Sequence, residues 1–183
     1  MSKIAVFLDR DDTLIVDKPY LNDPAGIEFT PNAVAAVKRL NEARIPAILI
    51  TNQSGLARGL ITEAQLEAVH ARLAELLIEA GAHLDAIYFC PHHTAGVVAA
   101  YAQDCECRKP KPGLLLEAGR DFALDLKSCY LVGDKPDDIK AIHNVGGKAV
   151  QVGSRAGLNP DYRASDLLDA INWIIEDLTC QKS

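Results

Sequence analysis

The chain is predicted to be an α/β protein built on a Rossmann-like, doubly wound parallel sheet. Three observations predict it. Short apolar runs rich in β-formers alternate with helical patterns along the whole length, as βαβ units require. The runs lack an alternating polar face, which fits strands buried on both sides. Almost every chemically interesting residue falls just after one of these runs, where such sheets bind ligands.

The strands are expected at Ile4–Leu8, Ala47–Thr51, Ala86–Cys90, Cys129–Val132 and Lys148–Val152. The first helix is expected to take Thr30 as N-cap and Pro31 in its first turn, and to run to about Ala43. Thr62 with Gln65 spells a capping box for the longest helix. Its core face would carry Leu66, Val69, Leu73, Leu76, Leu77 and Ala80, and Gly81 would stop it. A weaker helix follows from about Gly113 to Phe122, and another starts near Pro136. The last, about Asp166 to Leu178, would bury Leu167, Ile171, Ile174 and Leu178.

With 183 residues, 49% apolar and 24% charged, the chain reads as one globular domain spanning 1–183. No run approaches the roughly 20 apolar residues of a membrane span. The opening "MSKIAVFLD" has one Lys followed by an acid, unlike a secretory signal, so a cytoplasmic protein is expected. The net charge of −6 argues against broad nucleic-acid binding. No membrane partner is expected, and with no long exposed apolar stripe a monomer is.

The run Ile4–Leu8 delivers Asp9, Asp11 and Asp12 to its own end. Like charges this close repel unless a cation or proton intervenes. Asp9 and Asp11 can face one pocket, and Asp134 follows a second strand in "YLVGDKPDD". Three carboxylates at strand ends suit Mg²⁺, which keeps several waters and accepts a phosphate oxygen. An acidic protein handling phosphate must concentrate positive charge locally, as "CRKPKPG" does with Arg108, Lys109 and Lys111.

Five cysteines are present, and three crowd the stretch from Cys90 to Gly113 with two histidines. Cys90, His92, Cys105 and Cys107 make a three-thiolate, one-imidazole set for a structural zinc, with no position left for water. His92 is preferred to His93 because alternate residues of an extended segment point the same way. Zinc would order a loop over 90–109 that has little core pattern of its own, and so fix Arg108 and Lys109. Cys129 reads as core and Cys180 as a tail thiol; His70, His83 and His143 receive no role.

Taken together, "DRDDT", "ILITN", Lys109 and "VGDKPDD" resemble, in order, the four motifs of the haloacid dehalogenase superfamily of phosphohydrolases. The resemblance covers nearly the whole chain. It implies the haloacid dehalogenase fold and a phosphoric monoester hydrolase. Asp9 would be the nucleophile and Asp11 the general acid and base. Thr51 and Lys109 would bind the phosphoryl oxygens, and Mg²⁺ would be held by Asp9, Asp134 and the Asp11 backbone carbonyl. The family usually has Gly where this chain has Asp12. With one helix between Asp11 and Thr51, and a helix, a strand and the zinc loop before Lys109, the chain reads as capless.

The zinc pattern resembles that of the histidinol-phosphatase-like branch, and the further resemblance carried by "TNQSGLARG", "CPHH" and "CECRKP" implies a phosphosugar substrate. By position, the substrate contacts would be Asp17, Lys18, Pro19, Tyr20, Asn52, Gln53, Ser54, Arg108 and Lys135. Arg108 suits a second, non-reacting phosphate, since a planar guanidinium binds two oxygens. Arg58 is a further candidate. Two alternatives are a histidinol-phosphate phosphatase and a zinc-stabilised phosphosugar binder without catalysis.

Overall fold

The structure is a computed structural model, and it describes residues 3–180. Six parallel strands form one sheet in the order β3-β2-β1-β4-β5-β6: β1 Val6–Leu8, β2 Ala47–Asn52, β3 Ala86–Cys90, β4 Tyr130–Gly133, β5 Lys148–Gln151 and β6 Tyr162–Arg163. The helices are α1 Ala33–Glu42, α2 Glu63–Glu79, α3 Gly113–Asp121, α4 Pro136–His143 and α5 Leu167–Cys180.

Alternation along β1 explains the double winding. Val6 and Leu8 point into a core shared with α1, α2 and α5. Ala5 and Phe7 point into a second core with α3 and α4. Both faces of the central strands are therefore buried, and their sequences are apolar throughout. Leu8 pairs with Leu49 on one side and Val132 on the other, so β1, β2 and β4 end side by side. The chain reverses its direction of growth at β1, which makes the β1–β4 border the switch point where ligands bind.

Three details depart from expectation. β3 is an edge strand and only half-buried, with Phe89 exposed. β6 was not foreseen; two residues reading Tyr-Arg carry no strand period. Helix α1 starts at Ala33, not Pro31. Its N-cap Asn32 sits at φ 61°, and the Thr30 hydroxyl instead donates to the carbonyls of Thr13 and Leu14. Thr30 thus ties the segment before α1 to the turn after β1 rather than capping a helix.

The capping box of α2 is present, with Gln65 N–H donating to the Thr62 hydroxyl and Thr62 N–H to Gln65 Oε1. Gly81 ends this helix at φ +77°, a conformation that favours glycine. Leu66, Val69, Leu73 and Leu77 are buried as expected, whereas Leu76 is half-buried and Ala80 exposed. His70 joins the buried face, a point that matters below. Asp166 caps α5 by accepting from Asp169 N–H at 2.8 Å.

Candidate active site

The ends of β1, β2 and β4 bring Asp9, Thr51 and Asp134 together, as the order of motifs predicts. Asp9 N–H donates to Val132 O, which fixes the first residue beyond β1 against β4. Lys109 arrives from the loop before α3 and is almost wholly buried. Its ammonium donates to Asp9 Oδ1 at 2.8 Å, Asp138 Oδ1 at 2.6 Å and Ile50 O at 2.9 Å. Burial alone would lower its proton affinity; the Asp138 and Asp9 carboxylates outweigh burial and raise it. The ammonium therefore stays charged. Asn52 clamps the Lys109 backbone with a reciprocal pair, both bonds 3.0 Å.

Asp138 is a site residue that the sequence reading missed. It lies in "GDKPDD" three residues after Lys135, where its carboxylate accepts Lys135 N–H at the start of α4. A helix-capping acid looks the same in sequence whether or not it also holds a buried lysine. Burial and the Asp9 charge push its pKa up to about 7. A Cβ on Gly133 would lie 2.4 Å from this carboxylate, so glycine at the end of β4 is what admits it.

Asp9, Asp134 and Asp138 each place a carboxylate oxygen within 4.8 Å of the others. The sequence expectation is Mg²⁺ on Asp9, Asp134 and the Asp11 backbone carbonyl; the third carboxylate beside Asp9 and Asp134 is that of Asp138, not the Asp11 carboxylate. Arg10 and Gln53 hold that carboxylate elsewhere: Arg10 Nε and Nη2 donate to Asp11 Oδ1 at 2.9 and 2.8 Å, and Gln53 Nε2 donates to Oδ2 at 3.1 Å. The two Asp138 oxygens are already committed to Lys109 and Lys135 N–H. Asp134 Oδ1, by contrast, is buried with no hydrogen-bond partner. Burial, with the charge of Asp9 behind it, raises the pKa of Asp134 against the pull of Lys135. An orphaned carboxylate oxygen facing Asp9 fits a small hard cation.

Asp12 occupies the left-handed region at φ 61°, the reason a glycine suits this place, and its Oδ1 accepts Asp17 N–H at 3.0 Å. Asp is among the residues that tolerate this region, so the turn after β1 survives the departure.

Two hollows share a wall that includes Asp11. A cleft of about 40 Å³ is lined by Asp9, Thr51, Lys109, Lys135 and Asp138. A cavity of about 320 Å³ is lined by Asp17, Lys18, Pro19, Tyr20, Gln53 and Ser54. Asp11, Asn52 and Lys135 line both. Lys18 reaches the wall with its stem only, since its ammonium donates to Gly26 O at 2.7 Å. Lys135 sits 3.9 Å from Asp9 Oδ2 and 3.7 Å from Asp134 Oδ1. Arg108 does not line these two hollows; its Nη1 donates to His92 O. Arg58 has a buried Nε without a hydrogen-bond partner and an Nη2 3.2 Å from His93 Nε2.

The second cluster is Cys90, His92, Cys105 and Cys107. Cys107 Sγ lies 3.0 Å from Cys90 Sγ, 3.3 Å from Cys105 Sγ and 3.3 Å from His92 Nδ1. A tetrahedral zinc with about 2.3 Å bonds would place its sulfurs about 3.8 Å apart; the donor types fit zinc, and the sulfurs, 3.0 to 3.5 Å apart, are drawn in more tightly than that. His93 turns away, towards Arg58. The loop also needs Gly113, where a Cβ would meet Glu106 O at 2.3 Å. Cys129 is core and Cys180 exposed.

His70 carries a prediction of its own. Burial first and the Arg10 charge second hold its pKa down to about 3 from 6.5. The unfolded chain takes a proton below pH 6.5 that the fold refuses until about pH 3. Stability from this ring is thus intact above pH 6.5 and lost as pH falls, by about 2 kcal/mol at pH 5. Urea melts at pH 7.5 and pH 5 should show His70→Leu losing less stability between the two than the parent, by about that amount.

A model of HAD-hydrolase-like proteins matches residues 106–179. A D-glycero-beta-D-manno-heptose-1,7-bisphosphate 7-phosphatase from Yersinia pestis is 42% identical over 148 residues, 80% of this chain and 79% of that one. The protein of the same name from Escherichia coli K12 is 38% identical over 176 residues, 95% of this chain and 89% of that one. Among solved structures, the D,D-heptose 1,7-bisphosphate phosphatase from B. bronchiseptica, complexed with magnesium and phosphate, superposes with a TM-score of 0.81 at 30% identity. That match covers 96% of this chain and 99% of that one.

Proposed function

The chain belongs to the HAD-like hydrolases, within the family of the D-glycero-beta-D-manno-heptose-1,7-bisphosphate 7-phosphatases, and we propose that it hydrolyses the 7-phosphate of that bisphosphate. The observation that carries this reading is the pair of hollows that share Asp11, Asn52 and Lys135 in their walls. The small cleft seats a phosphoryl group between Asp9, Thr51 and Lys109. The larger cavity has room for the sugar. Asp11 stands where the bridging oxygen would lie.

In the first step an Asp9 carboxylate oxygen attacks phosphorus in line. The bond from phosphorus to the sugar oxygen breaks, its electron pair stays on that oxygen, and Asp11 supplies the proton. In the second step water attacks the aspartyl-phosphate. Asp11 now accepts the water's proton, phosphate departs and the Asp9 carboxylate is restored. Lys109 and Thr51 orient the phosphoryl oxygens throughout, since positioning and charge dominate phosphoryl transfer. Asp138 keeps Lys109 charged and aimed. Mg²⁺, held by Asp9, Asp134 and the Asp11 backbone carbonyl, would offset the negative charge shared by nucleophile and phosphoryl oxygens. The magnesium and phosphate of the B. bronchiseptica structure support magnesium as the ion. Zinc at Cys90, His92, Cys105 and Cys107 would be structural.

Asp17, Pro19, Tyr20, Asn52, Gln53, Ser54 and Lys135 line the cavity as substrate contacts, with Lys18 contributing its stem. Arg108, reinforced by Arg58, would receive the phosphate that does not react. Retaining the anomeric phosphate leaves a product suited to nucleotidyl transfer, which fits heptose nucleotide biosynthesis for lipopolysaccharide core or surface glycans.

Phosphate release from both anomers of the bisphosphate, from histidinol phosphate and from other sugar bisphosphates, with and without Mg²⁺, tests the proposal. The β-anomer should be preferred at least tenfold in kcat/KM, and omission of Mg²⁺ should abolish turnover. Preference for histidinol phosphate would assign the other member of the branch.

A further inference from the structure

Arg10 follows the nucleophile position in sequence but turns its side chain inward. It is 2% exposed, among the largest wholly buried side chains. A buried guanidinium is costly unless its fork of donors is filled. Here the fork has two clients. Nε and Nη2 grip Asp11 Oδ1 at 2.9 and 2.8 Å, and Nη2 also reaches Oδ2 at 3.1 Å. Nη1 lies 3.3 Å from Nε2 of His70, a buried residue on α2.

His70 is suited to accept from Arg10. Its pocket keeps the ring neutral, so Nε2 offers a lone pair to a permanent donor. Phe89 packs edge-on to the ring at 5.7 Å, and α2 is anchored by its capping box and buried face. On its other side the Asp11 carboxylate is held by Gln53, whose amide also donates to Thr51 Oγ1 at 2.8 Å. A chain of polar contacts therefore runs from α2 through His70, Arg10, Asp11 and Gln53 to Thr51. It holds one carboxylate in the wall that the two hollows share. A purely structural arginine needs partners somewhere in the core; this one spends three contacts on the proposed acid and base.

We propose that Arg10, anchored by His70, is a positioning device that sets the orientation of Asp11 for proton transfer to the leaving sugar oxygen and from the attacking water. This rests on the acid–base reading of Asp11 given above. His70 touches neither substrate nor phosphoryl group; it acts through Arg10.

The test compares His70→Leu, which keeps volume and removes the acceptor, with His70→Gln, whose amide oxygen can accept from Nη1. General acid–base catalysis is worth about 10²–10⁴-fold, so misplacing the carboxylate should cost at least about tenfold. His70→Leu should lose that much kcat on the heptose bisphosphate with KM within about twofold. 4-Nitrophenyl phosphate needs no proton on its leaving group. Its first-turnover burst of nitrophenolate should keep the parent rate in His70→Leu, while the steady state that follows slows. His70→Gln should recover most of the loss. Unchanged kcat on the sugar, an equal loss in the burst, or no recovery with Gln would overturn the proposal. Asp11→Asn separates the two levels. If it loses sugar turnover while His70→Leu does not, only the positioning role falls; if it keeps turnover, the acid–base reading falls too.

Discussion

Replacing Asp9 by Asn is expected to lower heptose bisphosphate turnover at least about 10⁴-fold while leaving the fold intact. An amide oxygen is too weak a nucleophile to displace the sugar oxygen, and no neighbouring group can take over. Losses of this size accompany removal of a covalent nucleophile elsewhere. The fold should tolerate the change because Lys109 keeps two partners, Asp138 at 2.6 Å and Ile50 O at 2.9 Å. Neutralising Asp9 also relieves its repulsion of Asp134 and Asp138, whose pKa values its charge helps to raise. The melting temperature should therefore stay the same or rise. Asp9 also stands among the proposed metal ligands, so turnover is measured at saturating Mg²⁺ to separate lost chemistry from weakened binding. Phosphate should still bind the variant, because Thr51 and Lys109 remain. Turnover within tenfold of the parent would show that Asp9 is not the nucleophile; a parent that binds phosphate but releases none from the bisphosphate would return the protein to the reading of a binder.

How much of this was legible in the sequence depends on how each residue reaches the site. Asp9, Thr51 and Asp134 follow apolar strands, and strand ends in a parallel sheet are where such residues converge; local pattern sufficed. Lys109 was legible as part of a local basic cluster, and only its order among the motifs singled it out from Arg108 and Lys111. Cys90, His92, Cys105 and Cys107 were legible because metal-ligand chemistry restricts residue type and the two pairs are close in sequence. Asp138 was not, because a capping acid and a buried counter-ion share one sequence signature. His70 was not either. Helical period put it among the α2 positions without a role, and its partner Arg10 lies 60 residues away. Gln53 was expected as a substrate contact, but its bridge between Asp11 and Thr51 depends on where β2 ends relative to β1. Strand β6 and the start of α1 were set by tertiary contacts: two strand residues are too few to show a period, and Thr30 gave its hydroxyl to the turn after β1.

Loss of the Cys90–His92–Cys105–Cys107 cluster is expected to be felt at the phosphate cleft as well as in stability. Cys107 lies two residues before Lys109, and Cys90 ends β3 beside Asn52, whose side chain clamps the Lys109 backbone. Burial raises the pKa of Cys90 and Cys107, and their crowding with Cys105 raises that of Cys107 further. Without a cation these thiols would be protonated and the short sulfur separations unsupported. A bound zinc selects the thiolates and converts repulsion into four bonds. Cys107→Ser should therefore destabilise by at least about 3 kcal/mol, a fall in Tm of about 6–12 °C for a chain of this size. Its turnover should fall at least about tenfold even at saturating Mg²⁺, because the loop no longer delivers Lys109 between Asp9 and Asp138. Treatment with a strong chelator followed by Mg²⁺ alone should leave the parent protein impaired, and adding zinc as well should restore it. Equivalent recovery with Mg²⁺ alone, together with one zinc per chain absent from elemental analysis of the native protein, would show that the loop holds its shape through its other contacts. Those contacts include the Val97 and Val98 N–H bonds to Ala57 O, the Asn52 clamp on Lys109 and the close seat of Gly113 against Glu106.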